Sequence, residues 1–195
     1  MHGGQGRLVG VLALQGAFAA HIRALAELGV RSVELRTPRD LDGVDALVLP
    51  GGESTTMSKL LDSSGLRAPL AERLADGVPV FGTCAGMILL ARTVTDGRPD
   101  QQGFGVVDIA VRRNGYGRQV DSFEADLAVA GVDGGPFHAI FIRAPVVTEV
   151  GPGATVLATH DDVPVLVAQG HVLVASFHPE LSHDPRLHAR FLQEV

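Results

Sequence analysis

Three short apolar runs, each stopped by glycine, constrain the fold of this chain more than any other feature. Leu8 to Leu14 (LVGVLAL) breaks at Gln15-Gly16, Asp45 to Leu49 (DALVL) breaks at Pro50-Gly51-Gly52, and Val78 to Phe81 breaks at Gly82. Runs of this length without polar alternation are typical of strands covered on both faces. Helical patterns fall between them: Ala17 to Leu28 closed by Gly29, one from about Ser54, and Leu66 to Ala75. Ser32 to Arg36 reads as a further strand, and Met87 to Val94 as a helix after the third run. Strands alternating with helices imply crossover connections, and so a parallel sheet with helices on both faces.

From Phe104 onward the pattern changes to short β-like runs. They are Val106 to Val111, Ala139 to Ile142, Thr155 to Ala158, Val163 to Ala168 and Val172 to Phe177. They are expected as antiparallel additions to the same sheet, with Pro185 to Val195 as a closing helix. The expectation is a three-layer α/β fold with a mostly parallel central sheet, flavodoxin-like in class. The chain has 195 residues, enough for one domain that hides about 70% of its unfolded surface. Residues 1–6 read as a flexible leader and 7–195 as a single domain.

Ligands of open α/β sheets sit at the carboxyl ends of the strands. That singles out the loops at Gly51, Cys84 and His178. The formal net charge is −6, with no basic stripe, which disfavours nucleic acid or a membrane surface as partner. The single cysteine excludes an intrachain disulfide and fits a reducing, cytoplasmic setting. The apolar N-terminal run is too short to span a bilayer.

Cys84 stands in Gly82-Thr83-Cys84-Ala85-Gly86, between a strand and a helix. Small neighbours permit the sharp turn of a nucleophile elbow, and a helix N-terminus favours thiolate over thiol. A lone cysteine is commonly only a small buried hydrophobe; the flanking glycines at a strand-to-helix corner favour function. His178 follows an apolar run in Ser-Phe-His-Pro-Glu-Leu. A thiol nucleophile needs such a base, and Glu180, two residues on, would face the same side of an extended segment and orient the imidazole. The third piece is Pro50-Gly51-Gly52-Glu53-Ser54. Acyl transfer builds charge on the carbonyl oxygen, and preorganised N–H donors stabilise it by about 3 kcal/mol each. The Gly52 and Ala85 N–H groups are assigned as that oxyanion hole. The glycine pair also reads as a plain turn, with Ser54 or Thr55 capping the helix. The eight histidines show no metal-binding spacing. His188, on the last helix, is expected at the surface.

G-x-C-x-G around Cys84 with a late H-x-E at His178 resembles the class I glutamine amidotransferases. Leu14-Gln15-Gly16, LPGGESTTM from Leu49, GRQVDSFE from Gly117, FIRAP from Phe141 and SFHPEL from Ser176 resemble in particular the glutaminase subunits of pyridoxal 5′-phosphate synthases. The resemblance runs from about Val9 to Phe191. It implies a Cys84-His178-Glu180 triad, hydrolysis of L-glutamine without metal or organic cofactor, and ammonia transfer to a (β/α)8-barrel synthase partner. It implies little activity until that partner orders the oxyanion loop. It also implies a glutamine site of Gly52, Glu53, Ser54, Arg113, Ile142 and Arg143. An arginine suits the substrate carboxylate, but Arg112 beside Arg113 leaves the choice to the resemblance alone. The ammonium partner stays open between the Glu53 carboxylate and the loop backbone. The rival readings are a glutaminase of another pathway, a cysteine peptidase on a similar sheet, and a non-enzymatic module keeping the fold.

Overall fold

The computed structural model describes residues 6–97, 102–113 and 122–195. Its first half runs β1 (Leu8–Leu12), α1 (Phe18–Glu27), β2 (Arg31–Leu35), β3 (Ala46–Leu49), α2 (Ser54–Ser63), α3 (Arg67–Ala75), β4 (Val80–Thr83) and α4 (Ala85–Leu90). Then follow β5 (Ala91–Val94), β6 (Val107–Arg112), β7 (Ser122–Leu127), β8 (Phe137–Ile142), β9 (Val146–Val150), β10 (Thr155–His160), β11 (Val163–Gln169), β12 (Val172–Ala175) and α5 (Arg186–Leu192).

Seven strands form the central sheet in the order β10-β11-β12-β4-β3-β1-β2. All neighbours from β12 to β2 are parallel, while β10 and β11 run antiparallel at one edge. Period-two alternation splits each inner strand between two cores. Val9, Val11, Ala46, Val48 and Phe81 pack with Leu25 of α1, Phe137 and Phe141 of β8, and Leu187 and Phe191 of α5. Leu12, Leu47, Leu49 and Val80 pack with Met57, Leu61, Leu70, Leu74 and Leu89 from α2, α3 and α4. Each fully buried leucine or phenylalanine is worth about 1.5–3 kcal/mol, so both faces are apolar and the strands carry no polar alternation. No helix among the described residues is long and apolar enough to cross a membrane.

The chain moves outward from β1 to β2, then returns to the other side of β1 with β3. That reversal opens a crevice at the carboxyl ends of β1 and β3. The loops after β1, β3, β4 and β12 all rise there.

The structure corrects four expectations. The helix after Cys84 ends at Leu90, and Ala91–Val94 is strand β5, parallel to β6. Phe104 and Val106 N–H groups take the Leu89 and Leu90 carbonyls, at 2.6 and 2.9 Å, so the helix ends without further turns. The segment beginning at Val172 is no antiparallel addition: β12 lies inside the sheet, parallel to β4. The strands at Val107 and Phe137 leave the central sheet altogether. One joins β5 and β9 in a three-stranded sheet, the other pairs with β7 in a hairpin. Strands β7 and β9 have no counterpart in the sequence reading. Of GRQVDSFE, only Ser122 to Glu124 is described, at the start of β7; Gly117 to Asp121 lies outside the described residues, as does the leader up to Gln5.

Candidate active site

Cys84 is the N-cap of α4, with φ 49° and ψ −103°. A non-glycine residue at positive φ costs about 1–3 kcal/mol and persists only where its surroundings impose it. Here its N–H donates to the Ala175 carbonyl of β12 at 2.8 Å, and its carbonyl accepts from Ile88 N–H at 3.2 Å. The backbone is therefore pinned to the sheet on one side and to the helix on the other. Gly86 permits the corner, because a Cβ there would run into the Leu49 carbonyl at the end of β3. Cys84 is 5% exposed, and its sulfur sits 3.9 Å from the Ile142 carbonyl.

His178 leaves the end of β12 with its N–H on the Ile140 carbonyl of β8, at 2.8 Å. Its Nδ1 lies 2.7 Å from Glu180 Oε1. The two side chains do not meet across an extended segment, as the sequence reading has it. Pro179–Leu181 is a 3-10 turn, which folds Glu180 back beneath the ring. With Nδ1–H donating to the carboxylate, Nε2 is left for Cys84. Burial pulls the imidazole pKa down, but the ring's hydrogen bonds to Cys84 and Glu180, and the carboxylate charge beside it, outweigh it. They raise it to about 10, so the ring is an imidazolium at neutral pH. Burial pushes Glu180 up, while His21 and His178 pull harder the other way and keep it ionised.

Gly51 packs against the same ring, since a Cβ on it would collide with His178. The Gly51 carbonyl accepts from Ala17 N–H at 3.1 Å. A planar trans peptide then directs the Gly52 N–H to the opposite side. Ala85 is the first residue of α4, where an N–H has no acceptor inside the helix.

A cleft of about 350 Å³ joins these groups. Cys84 and His178 line it together with Gly52, Glu53, Ser54, Arg113, Ile142 and Arg143, whereas Ala85 and Glu180, also singled out from the sequence, are not among its lining residues. Glu53, rather than Ser54 or Thr55, caps α2. Its carboxylate accepts from Thr55 N, Thr56 N and Thr56 Oγ1, and Arg113 Nη2 lies 3.2 Å away. Partial burial pushes its pKa up, but the hydrogen bonds from Thr55 and Thr56 outweigh that and hold it down at about 2. Its oxygens are thus engaged before any ammonium arrives. Arg143, which also lines the cleft, holds a positive φ of 42°.

Three features escaped the sequence reading. Gln15, Gly16 and Ala17 line the cleft, and Gln15 Oε1 accepts from Glu53 N–H at 2.9 Å. Their position at the carboxyl end of β1 was the available signal. His188 is completely buried and not at the surface, because α5 turns that face onto Phe81, 5.6 Å away. Its partner is His21 of α1, 2.9 Å away; nothing in either helix pattern marks the pair. Among the described residues no group of three or more histidine, cysteine or acidic side chains is arranged to hold a metal ion.

Comparison with known proteins agrees with this geometry. Residues 11–195 match the SNO glutamine amidotransferase family. The chain is 56% identical over 193 residues to the pyridoxal 5′-phosphate synthase subunit PdxT of Salinispora arenicola, covering 96% of each chain. It is 54% identical over 187 residues to the subunit of the same name from Thermus thermophilus, covering 95% of this chain and 96% of that one. A solved structure described as a glutamine amidotransferase superposes with a TM-score of 0.89 at 51% identity, covering 95% of this chain and 97% of the other.

Proposed function

The chain belongs to the SNO glutamine amidotransferase family, and from that premise we propose how its own residues carry out the family's reaction. The protein is a glutaminase that serves pyridoxal 5′-phosphate synthesis, hydrolysing glutamine to glutamate and ammonia. The proposed nucleophile is Cys84. Its thiol proton passes to His178, the sulfur attacks the side-chain amide carbon of glutamine, and the carbonyl becomes an oxyanion. The Gly52 and Ala85 N–H groups stabilise that charge. His178, held as an imidazolium, gives its proton to the departing ammonia, leaving a γ-glutamyl thioester. The now neutral ring takes a proton from water, hydroxide attacks the thioester, and glutamate leaves as sulfur is regenerated. Glu180 keeps the imidazole tautomer and balances its charge throughout.

The substrate is held by the first loop, at Gly52, Glu53 and Ser54, and by Arg113, Ile142 and Arg143. An arginine meets the α-carboxylate. Since the Glu53 oxygens already carry the α2 cap, the loop main chain supplies part of the ammonium site and Glu53 adds its field. The reading is supported above all by one observation: Cys84 and His178, from the ends of β4 and β12, line one cleft of amino-acid size, and Glu180 holds His178 Nδ1 at 2.7 Å.

The protein acts with a synthase partner. We propose that this partner is a (β/α)8 barrel receiving ammonia through a closed path, and that the reaction takes place in the cytoplasm. Two measurements test the scheme. Cys84→Ala is expected to abolish glutamate release while circular dichroism stays unchanged; retained glutaminase activity would remove Cys84 as nucleophile. Adding the synthase is expected to raise the glutaminase rate and to yield pyridoxal 5′-phosphate; equal rates with and without it would refute partner-dependent ordering of the loop.

A further inference from the structure

Beneath Glu180 lie two histidines that the reaction scheme leaves unused. His21 on α1 and His188 on α5 are both inaccessible to solvent. His21 Nδ1 is 2.9 Å from His188 Nε2. On the other side of its ring, His21 Nε2 lies 3.1 Å from Thr83 Oγ1 and 3.4 Å from Glu180 Oε2. Glu180 therefore presents one oxygen to His178 and the other to His21. That second oxygen makes no hydrogen bond within the described residues, so the His21 ring edge is the polar group it faces.

Elementary chemistry settles which nitrogens carry protons. His188 Nδ1 is buried without a partner among the described residues. An unpaired buried N–H costs more than a bare nitrogen, so the His188 proton sits on Nε2 and is donated to His21 Nδ1. His21 then carries its own proton on Nε2, pointing at Thr83 and Glu180. The opposite assignment would aim a lone pair at a carboxylate and strand a buried N–H. The two rings form a row of N–H dipoles directed at Glu180, alongside Phe81 and Phe191. Apolar side chains could fill this volume without burying two imidazoles, so packing alone does not account for them.

We propose that His21, seated by His188 and Thr83, is a positioning residue for glutamine hydrolysis, holding the Glu180 carboxylate so that Oε1 stays on His178. The proposal rests on the Cys84-His178-Glu180 reading above. The titratable groups around His21 are Glu180 and His178 from the turn after β12, and His188 from α5. Burial keeps His21 neutral against the pull of Glu180. A neutral N–H dipole 3.4 Å from Oε2 attracts the carboxylate without neutralising it, so the full negative charge remains for the His178 imidazolium.

The test compares His21→Asn with His21→Gln in the complex with the synthase. Asparagine reaches the Nδ1 position and keeps the His188 contact, but falls short of Glu180; glutamine places an amide N–H near Nε2. The expected result is a loss of kcat of about tenfold or more for His21→Asn with KM within about twofold, and recovery to within about threefold of wild type for His21→Gln. Equal kcat in the two variants, or an unchanged kcat in His21→Asn, would overturn the proposal. If either variant fails to fold, nitrogen-15 shifts of the wild-type histidines decide: His21 is expected as the Nε2–H tautomer, and the Nδ1–H tautomer would rule the arrangement out. Cys84→Ala, run alongside, separates this question from the underlying one, because retained glutaminase there would sink the triad itself.

Discussion

Lowering the pH from 6.5 to 5 is expected to cost this fold about 2 kcal/mol through His188 alone. The side chain is wholly buried, and its pKa is held down to about 3 from 6.5, first by burial and then by His21, against the pull of Glu180. The folded state therefore favours the neutral ring more than the unfolded chain does. Its contribution is complete above 6.5 and is lost as pH falls toward 3. Each unit below 6.5 costs about 1.4 kcal/mol, so one and a half units cost about 2. His21 is shifted the same way and steepens the loss. His178 does not offset it: its pKa is raised to about 10, so its contribution is fully present below 6.5 and declines only on the alkaline side. Glu53 and Glu180, both lowered, lose their contributions only below the ordinary carboxylate range. The assay is urea unfolding at pH 6.5 and 5 for wild type and His188→Gln. Glutamine cannot titrate, yet offers an amide N–H to His21 Nδ1. With m near 2.5 kcal/mol/M, the wild-type midpoint should fall about 0.8 M further than that of the variant. Equal falls for the two proteins would refute the reasoning, because the neutral buried ring would then contribute nothing.

Two further substitutions probe the cleft. Gly51→Ala would drive a Cβ into the His178 imidazole; displacing the base should lower kcat about a hundredfold, and the overpacking should cost about 1–3 kcal/mol of stability. Unchanged kinetics would place the ring elsewhere during turnover. Glu53→Gln removes the charge that caps α2 and faces Arg113; a loss of about 1 kcal/mol, or about 3 °C in Tm, is expected together with a raised KM for glutamine. A variant with wild-type Tm and KM would show that neither the cap nor the charge matters.

The residues of the site were legible because their signals are local. Cys84 needs a strand, a sharp corner and a helix start, and Gly82, Thr83, Ala85 and Gly86 write all of that within five positions. The Gly51-Gly52 turn is likewise marked by its own residues, and each inner strand by an apolar run that both faces bury. Even Gln15, missed as a site residue, stands at a strand end where the crevice rule points.

The errors fall where a distant partner decides. α4 stops at Leu90 because Phe104 and Val106 take its carbonyls, and nothing near Leu90 announces that. Ser122–Leu127 alternates weakly and becomes strand β7 only by pairing with β8. Val172–Ala175 looks like any short strand, yet the free edge of β4 draws it into the parallel sheet, and that placement brings His178 to Cys84. His188 reads as a surface histidine until α5 docks and His21 meets it. The chain by itself determined which segments become strands and helices and which side chains stand at their corners, since those choices depend on neighbours a few residues away. Only the tertiary structure decided which strands pair, how Glu180 folds under His178 and what lies behind it, because those contacts join residues far apart in the chain and form only when whole elements pack.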